Sequence, residues 1–128
     1  MIYIASLGFF CLMLGLLMPI FVIYSRRYET SLILTALLYC TAFFSYTYLN
    51  LKSGTFIGTI HDNSSPLLPF IYKVSGVWSS HEGSLLLWIW FHSIWIYIGY
   101  LSFEINKKLY ALAVSILISF YSAYLVTL

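Results

Sequence analysis

The stretch WSSHEGSLLLWIW, residues 78–90, places a polar quartet directly before a long apolar run. A helix needs about 20 mainly apolar residues to cross the hydrocarbon core of a bilayer. The run from residue 84 to residue 103 has that length. The stretch therefore predicts the start of a transmembrane helix, with the quartet His81–Ser84 at its aqueous end.

The composition of the whole chain points the same way. Of its 128 residues, 62% are apolar and 8% are charged, and the mean hydropathy is +0.92. Soluble domains have about 45–50% apolar and about 25% charged residues. We therefore predict one membrane domain, residues 1–128. The formal net charge of +2 is small and scattered, which argues against a nucleic-acid partner.

Four apolar stretches predict four transmembrane spans, at about residues 2–24, 31–51, 84–103 and 109–128, with an outer loop at 52–83. They lack the alternation of barrel strands, so the predicted class is an all-α polytopic membrane protein. No positive charge precedes Arg26, unlike in a signal peptide. We therefore expect the first segment to serve as an anchor.

The basic residues predict the orientation of the spans. Arg26 and Arg27 lie in the first gap between spans, and Lys107 and Lys108 lie in the third. In a chain of four helices these gaps fall on the same side. The positive-inside rule assigns them to the cytoplasm or the organelle matrix. The long loop and both termini are then expected on the opposite side.

The second half of the loop predicts a short amphipathic helix lying in the membrane interface, opened by Pro69 and anchored by Trp78. Its apolar residues recur at helical spacing: Leu67, Phe70, Ile71, Val74, Val77 and Trp78. In the first half, His61 and Asp62 are either a surface pair or a ligand-binding pair. The sequon at Asn63 matters only in a secretory lumen.

Two residues of the quartet have local explanations. Ser79, three residues before Glu82 and just ahead of an apolar run, is typical of a capping box. Glu82 is therefore either a residue that starts the helix or part of a functional edge. Gly83 weakens the first turn of a helix, which predicts the close approach of a neighbouring group.

The candidate functional residues of the third span share one narrow face of the helix. They are His81, Trp88, His92, Trp95 and Gly99. His92 falls near the middle of the bilayer, where an ionisable group is costly. It is either a neutral histidine bonded to a neighbouring helix or a group with a haem or proton role. The tryptophans either anchor and pack the helix or form a wall for a large planar ligand.

The remaining features have structural interpretations. Gly8 and Gly15 let another helix approach closely, and Pro19 predicts a kink. Cys11 and Cys40 lie inside apolar runs and form no CxxC motif, so we interpret them as small membrane-facing side chains. No metal site and no catalytic set are predicted for this chain alone.

Residues 67–88, LLPFIYKVSGVWSSHEGSLLLW, resemble a segment of the CcmF-type cytochrome c haem lyase family. The residues that carry the resemblance are Leu68-Pro69, Tyr72-Lys73, Trp78, His81-Glu82-Gly83-Ser84 and Leu86-Leu87-Trp88. The chain departs from the family at Ser79, where the family usually has glycine, and in its length. It resembles the N-terminal part of such a protein, as in split, mitochondrially encoded fragments.

The resemblance implies a fragment of the membrane haem lyase that attaches haem to apocytochrome c, as a component that is not catalytic alone. Its implied substrate-proximal or haem-proximal residues are Trp78, His81, Glu82, Gly83, Ser84 and Trp88. Haem would belong to the assembled complex and is not assigned to this chain. Implied partners are other haem lyase fragments, proteins that deliver haem or handle thiols, apocytochrome c and the lipid bilayer.

The resemblance also implies a location in the mitochondrial inner membrane or the bacterial plasma membrane. The HEGS quartet and both termini would face the intermembrane space or periplasm. An alternative from a different class stays open. In that alternative the chain is a structural transmembrane subunit of a large respiratory-chain assembly, with no chemistry of its own.

Overall fold

The computed structural model describes residues 2–25, 27–52, 65–102 and 106–127. Within these ranges the chain forms helices and no strand, which confirms the all-α class. The helices are α1 (Ile2–Leu16), α2 (Met18–Ser25), α3 (Tyr28–Leu51), α4 (Phe70–Ser79), α5 (His81–Ser102) and α6 (Lys107–Thr127). The third predicted span begins three residues early, so the whole polar quartet lies in the first turn of α5.

Three of the helices are long and apolar enough to cross a membrane: Tyr28–Leu51, His81–Ser102 and Lys107–Leu125. The helices α1 and α2 are bent by 50° relative to each other and form a fourth span only if the bent pair counts as one. The structure therefore supports three spans, or four on that condition. Segments His61–Asn63, Arg26 and Glu104 lie outside the described residues.

The break between α1 and α2 confirms the kink expected near Pro19. Proline has no backbone N–H, so it cannot donate to the carbonyl of Gly15 as a helix requires. The chain turns at Leu17, where the 50° bend occurs. The Ser119 hydroxyl of α6 lies 3.5 Å from the Gly15 carbonyl oxygen and 3.4 Å from that of Leu16. A side chain of another helix thus approaches the opened turn.

The long helices form a bundle in which α3 packs against α1 and α5, while α6 packs against α1, α2 and α5. Both predicted glycine approaches occur on the face of α1 that meets α3. A Cβ on Gly8 would lie 3.2 Å from Cβ of Ser45, and one on Gly15 would lie 2.5 Å from the Tyr39 hydroxyl. Small residues thus let the two backbones approach closely.

Cys11 lies on the same face as the two glycines and is buried in the core with Ala42 and Phe43. The prediction that it faces the membrane is therefore wrong, because residues 8, 11 and 15 share one helical stripe. Cys40 is half-buried. Neither thiol is part of a disulfide.

The bundle has two chemically different ends. At one end, the Tyr97 hydroxyl of α5 donates to Oε1 of Glu29 over 3.2 Å, which ties the last turns of α5 to the start of α3. The Lys107 ammonium lies 4.9 Å from the ring centroid of Tyr100 at this same end. The polar quartet that opens α5 lies at the other end of that helix, one helix length away from these charges.

Candidate functional site

The candidate site is built on the corner where α4 meets α5, and a single serine organises it. Ser80 separates the two helices in an extended conformation, with φ −75° and ψ 140°. Its hydroxyl donates to the Val77 carbonyl over 3.0 Å and accepts from the Gly83 backbone N–H over 3.2 Å. The Tyr46 hydroxyl of α3 lies 2.9 Å from the same oxygen. One buried side chain thus joins three helices.

The capping residue of α5 is therefore Ser80, and the capping box predicted for Ser79 and Glu82 is wrong. Because α4 continues through Ser79, that side chain bonds back to the Gly76 carbonyl over 3.3 Å. The cap lies one residue later, and the residue three positions after Ser80 is Gly83, which has no side chain to return the bond. Glu82 lies in the first turn of α5, where a carboxylate suits the helix dipole.

The close approach predicted from Gly83 is confirmed. A Cβ at this position would overlap the Val77 carbonyl oxygen, and it would lie 2.6 Å from the Ser80 hydroxyl oxygen and 2.8 Å from Cε1 of Tyr46. Glycine is the residue that leaves room for α4 to turn back against the first turn of α5. The corner therefore depends on Ser80 and Gly83 together.

Replacing Ser80 with alanine is expected to lower the free energy of unfolding by about 1–2 kcal/mol, since it removes the N-cap and a partner of Tyr46. Denaturant titration of the detergent-solubilised protein would measure this. Ser79→Ala is the matched control and is expected to change stability by less than about 0.5 kcal/mol. Equal losses in the two variants would contradict the assignment of the cap to Ser80.

The corner presents other predicted site residues toward the outside of the bundle. The His81 side chain is exposed, and its ring centroid lies 6.4 Å from that of Tyr124 in a nearly perpendicular arrangement. Ser84 donates its hydroxyl to the His81 carbonyl over 2.9 Å. The Trp78 side chain is 57% exposed at the end of α4. Trp78 and His81 are therefore exposed at the corner, and Ser84 is half-buried beside His81.

Trp88 is not part of this corner. It lies about two turns further along α5, roughly 10 Å from His81 along the axis. Its ring instead lies beside that of His92, with 5.4 Å between ring centroids. The predicted set of site residues thus divides into a corner group and a group near the middle of α5.

The Nδ1 atom of His92 lies 2.9 Å from the carbonyl oxygen of Trp88, four residues earlier on the same helix. Among the described residues no other helix of this chain bonds to the ring, because the side chain lies on the exposed face of α5. A bond to a helix outside this chain and a haem or proton role both stay predictions. Trp88 and Trp95 share that face, at 64% and 68% exposure, whereas Gly99 of the predicted stripe is buried.

The short helix predicted in the second half of the loop is present as α4, with Pro69 immediately before it. Val77 is buried against the bundle. Val74 is half-buried. The exposed large apolar side chains of the predicted set are Leu67, Phe70, Ile71 and Trp78. An exposed apolar face suits a helix in the membrane interface, and that location stays a prediction.

Across residues 2–25, 27–52, 65–102 and 106–127, no group of three or more His, Cys, Asp or Glu side chains is placed to hold a metal ion. The corner offers hydrogen-bonding and aromatic groups. Its exposed imidazole and indole can contact a planar or anionic partner, and its backbone is fixed by Ser80.

No family model and no solved structure matches the chain. Part of it is similar to curated proteins. It is 46% identical over 54 residues to the cytochrome c-type biogenesis protein CcmF of Haemophilus influenzae, covering 42% of this chain and 8% of that protein. It is 38% identical over 48 residues to CycK of Bradyrhizobium diazoefficiens, covering 38% of this chain and 7% of CycK. A third relative, ccl1 of Rhodobacter capsulatus, is 44% identical over 48 residues, with the same coverages.

The chain resembles a CcmF-type fragment. CycK and ccl1 are also called cytochrome c-type biogenesis proteins. The matched segments span less than a tenth of the length of each of these relatives. The CcmF-type resemblance read from the sequence is thereby confirmed, for part of the chain.

Two residues that shape this corner were missed by sequence reasoning. Ser80 was overlooked because Ser79 fits the capping box pattern. Tyr46 lies 34 positions before Ser80. Nothing in the local pattern around Tyr46 indicates that pairing, since its ring looks like any other aromatic side chain of an apolar helix.

Proposed function

We propose that the chain acts in cytochrome c maturation, as a membrane-embedded fragment of a CcmF-type haem lyase that attaches haem to apocytochrome c. The similarity to proteins called cytochrome c-type biogenesis proteins supports this. The candidate spans support a role in a membrane. The proposed location is the mitochondrial inner membrane or the bacterial plasma membrane.

The observation that carries the proposal is the hydrogen-bonded corner around Ser80, beside which Trp78 and His81 are exposed at one end of the bundle. This end is opposite the basic residues at the start of α6, so the positive-inside rule favours the intermembrane space or periplasm for the corner. Haem and apocytochrome c would be handled on that side. The chain would supply scaffold and one wall of the assembled site.

The roles of individual residues follow from their positions. The exposed His81 imidazole can donate a hydrogen bond to a haem propionate or to a neighbouring loop. Trp78 offers an aromatic face to a planar ring. Glu82 stabilises the start of α5, and Gly83 fixes the path of the chain.

When bound, haem supplies the vinyl groups that join the thiols of the substrate's CxxCH. The described residues are better suited to orienting haem than to reacting with it. Cys11 and Cys40 lie within helices and do not form a thiol pair. His81 and Trp78 are the exposed residues that would hold a haem here, by a hydrogen bond and by aromatic contact respectively. The partners proposed are other haem lyase fragments, proteins that deliver haem or handle thiols, and apocytochrome c.

The test is His81→Ala in cells that depend on this chain. We expect at least a several-fold loss of c-type cytochromes by covalent haem staining, with the variant present at a normal level by immunoblot. Phe120→Leu, which changes an exposed residue of α6, is the control and is expected to leave the staining unchanged.

Normal haem attachment in the His81 variant would remove this residue from the function. Normal attachment in cells that lack the chain altogether, combined with stable co-isolation with an oxidase or reductase, would favour the structural subunit of a respiratory assembly.

A further inference from the structure

The exposed face of α5 carries an arrangement that the proposed function does not use. Trp88, Phe91, His92 and Trp95 project from the middle of this helix and are all exposed. Residues three and four positions apart form continuous ridges on a helix surface. Trp88 and His92 lie on a ridge at spacing four, and Trp95 is the neighbour of His92 on the crossing row at spacing three.

A groove lies on each side of this ridge, and Trp88 and His92 line both. The first groove lies between α5 and α6 and has a volume of about 550 Å³. Its lining includes Leu85, Ile89, Val114, Ile118 and Tyr121. The second, of about 490 Å³, is completed by Leu87, Phe91 and Trp95. A ridge between two apolar grooves is the surface onto which another helix packs.

The position of His92 indicates that lipid does not cover this face. It lies eleven residues into α5, roughly 16 Å from His81 along the axis and near the middle of the span. Its Nδ1 faces the Trp88 carbonyl, which can only accept, so Nδ1 carries a hydrogen. Among the described residues, no other hydrogen bond to the His92 ring is found. Its Nε2 therefore needs a polar partner that acyl chains cannot supply.

We propose that the Trp88–His92–Trp95 face of α5 is the docking surface for a transmembrane helix of a partner membrane protein, with a hydroxyl or amide side chain opposite Nε2 of His92. Aromatic residues are enriched at such interfaces, and polar groups join helices within membranes. In Haemophilus influenzae CcmF, the similar segment is 8% of a much longer protein. The inference rests on the proposed function only for the identity of that partner.

The first test measures assembly. His92→Phe keeps a ring of similar size and removes both nitrogens, and His92→Asn keeps a polar group. We expect His92→Phe to reduce at least tenfold the fraction of the chain found in its native membrane assembly on native gels, and His92→Asn to retain most of it. Thr41→Val is the control, since Thr41 is also exposed and also bonds to the carbonyl four residues earlier.

The second test identifies what covers the face. A photo-crosslinking amino acid at Trp95 is expected to yield an adduct with a peptide from a transmembrane segment that contains a Ser, Thr, Tyr, Asn or Gln. The same probe at Phe9 of α1, which is exposed and lines neither groove, is expected to yield lipid adducts only. Lipid adducts at Trp95, a cofactor that binds at His92, or full assembly of His92→Phe would each overturn the proposal.

The two proposals fail separately. Loss of assembly in His92→Phe, with normal c-type cytochromes in cells that lack the chain, would keep the docking surface and remove the role in cytochrome c maturation. Normal assembly in His92→Phe, with loss of c-type cytochromes in His81→Ala, would do the reverse.

Discussion

A Gly83→Ala variant is expected to lose about 3 kcal/mol of unfolding free energy, the upper end of the usual range for overpacking. The new methyl group would overlap the Val77 carbonyl oxygen, which belongs to the backbone and cannot rotate away. The Ser80 hydroxyl and the Tyr46 ring close the other sides of the space. The corner must then open, and α4 must move away from α5. Denaturant titration in detergent micelles would measure the loss, and faster proteolysis near residue 80 would locate it.

Gly8→Ala is the matched control, because Gly8 is also a buried glycine at a contact between helices. A Cβ there would lie 3.2 Å from Cβ of Ser45, a contact that a small shift relieves. We expect a change of less than about 1 kcal/mol. If Gly8→Ala proved as harmful as Gly83→Ala, the damage at position 83 could not be attributed to the Val77 carbonyl.

Tyr39→Ala is expected to be about as destabilising, at about 3–5 kcal/mol, the range for large aromatic side chains in a core. The Tyr39 side chain is fully buried where α1, α3 and α6 meet. Its hydroxyl bonds to that of Ser122 and lies against Gly15. Removal of the ring leaves a cavity between three helices, and thermal unfolding of the solubilised protein would report the loss.

Two variants divide the Tyr39 effect into ring and hydroxyl. Tyr39→Phe keeps the ring and is expected to cost about 1 kcal/mol. Tyr48→Ala removes a ring that is 44% exposed on the same helix, and we expect it to cost less than about 1 kcal/mol. If Tyr48→Ala lost as much unfolding free energy as Tyr39→Ala, the loss would reflect a change in helix propensity instead of lost core packing.

The features predicted correctly from the sequence depend on composition and on the hydrogen bonding and conformation of the local backbone. Apolar runs predict helices because lipid offers no hydrogen bonds to the backbone. Gly83 predicted a close approach because glycine weakens the first turn of a helix, so its presence there indicates that a neighbouring group occupies the space of a side chain. Pro19 predicted a break because its missing N–H removes a bond of the helix.

The errors arise where neighbouring elements decide the outcome. Ser79 and Ser80 are chemically identical, and the end of α4 selects Ser80 as the cap. Cys11 is buried because two glycines on its face bring α3 close. The exposure of His92 was not foreseen, because periodicity identifies a face without showing whether that face points into the bundle. Tyr46 completes the corner through a contact that no local pattern contains.

The corner at Ser80 has a mechanical consequence. One residue joins α4 to α5, and the Val77 carbonyl, the Ser80 hydroxyl and the Tyr46 ring close the space beside Gly83. We therefore expect a displacement of α4 to be transmitted to α5. A partner that displaces α4 through its exposed aromatic side chains would then also move α5, the helix that carries His92.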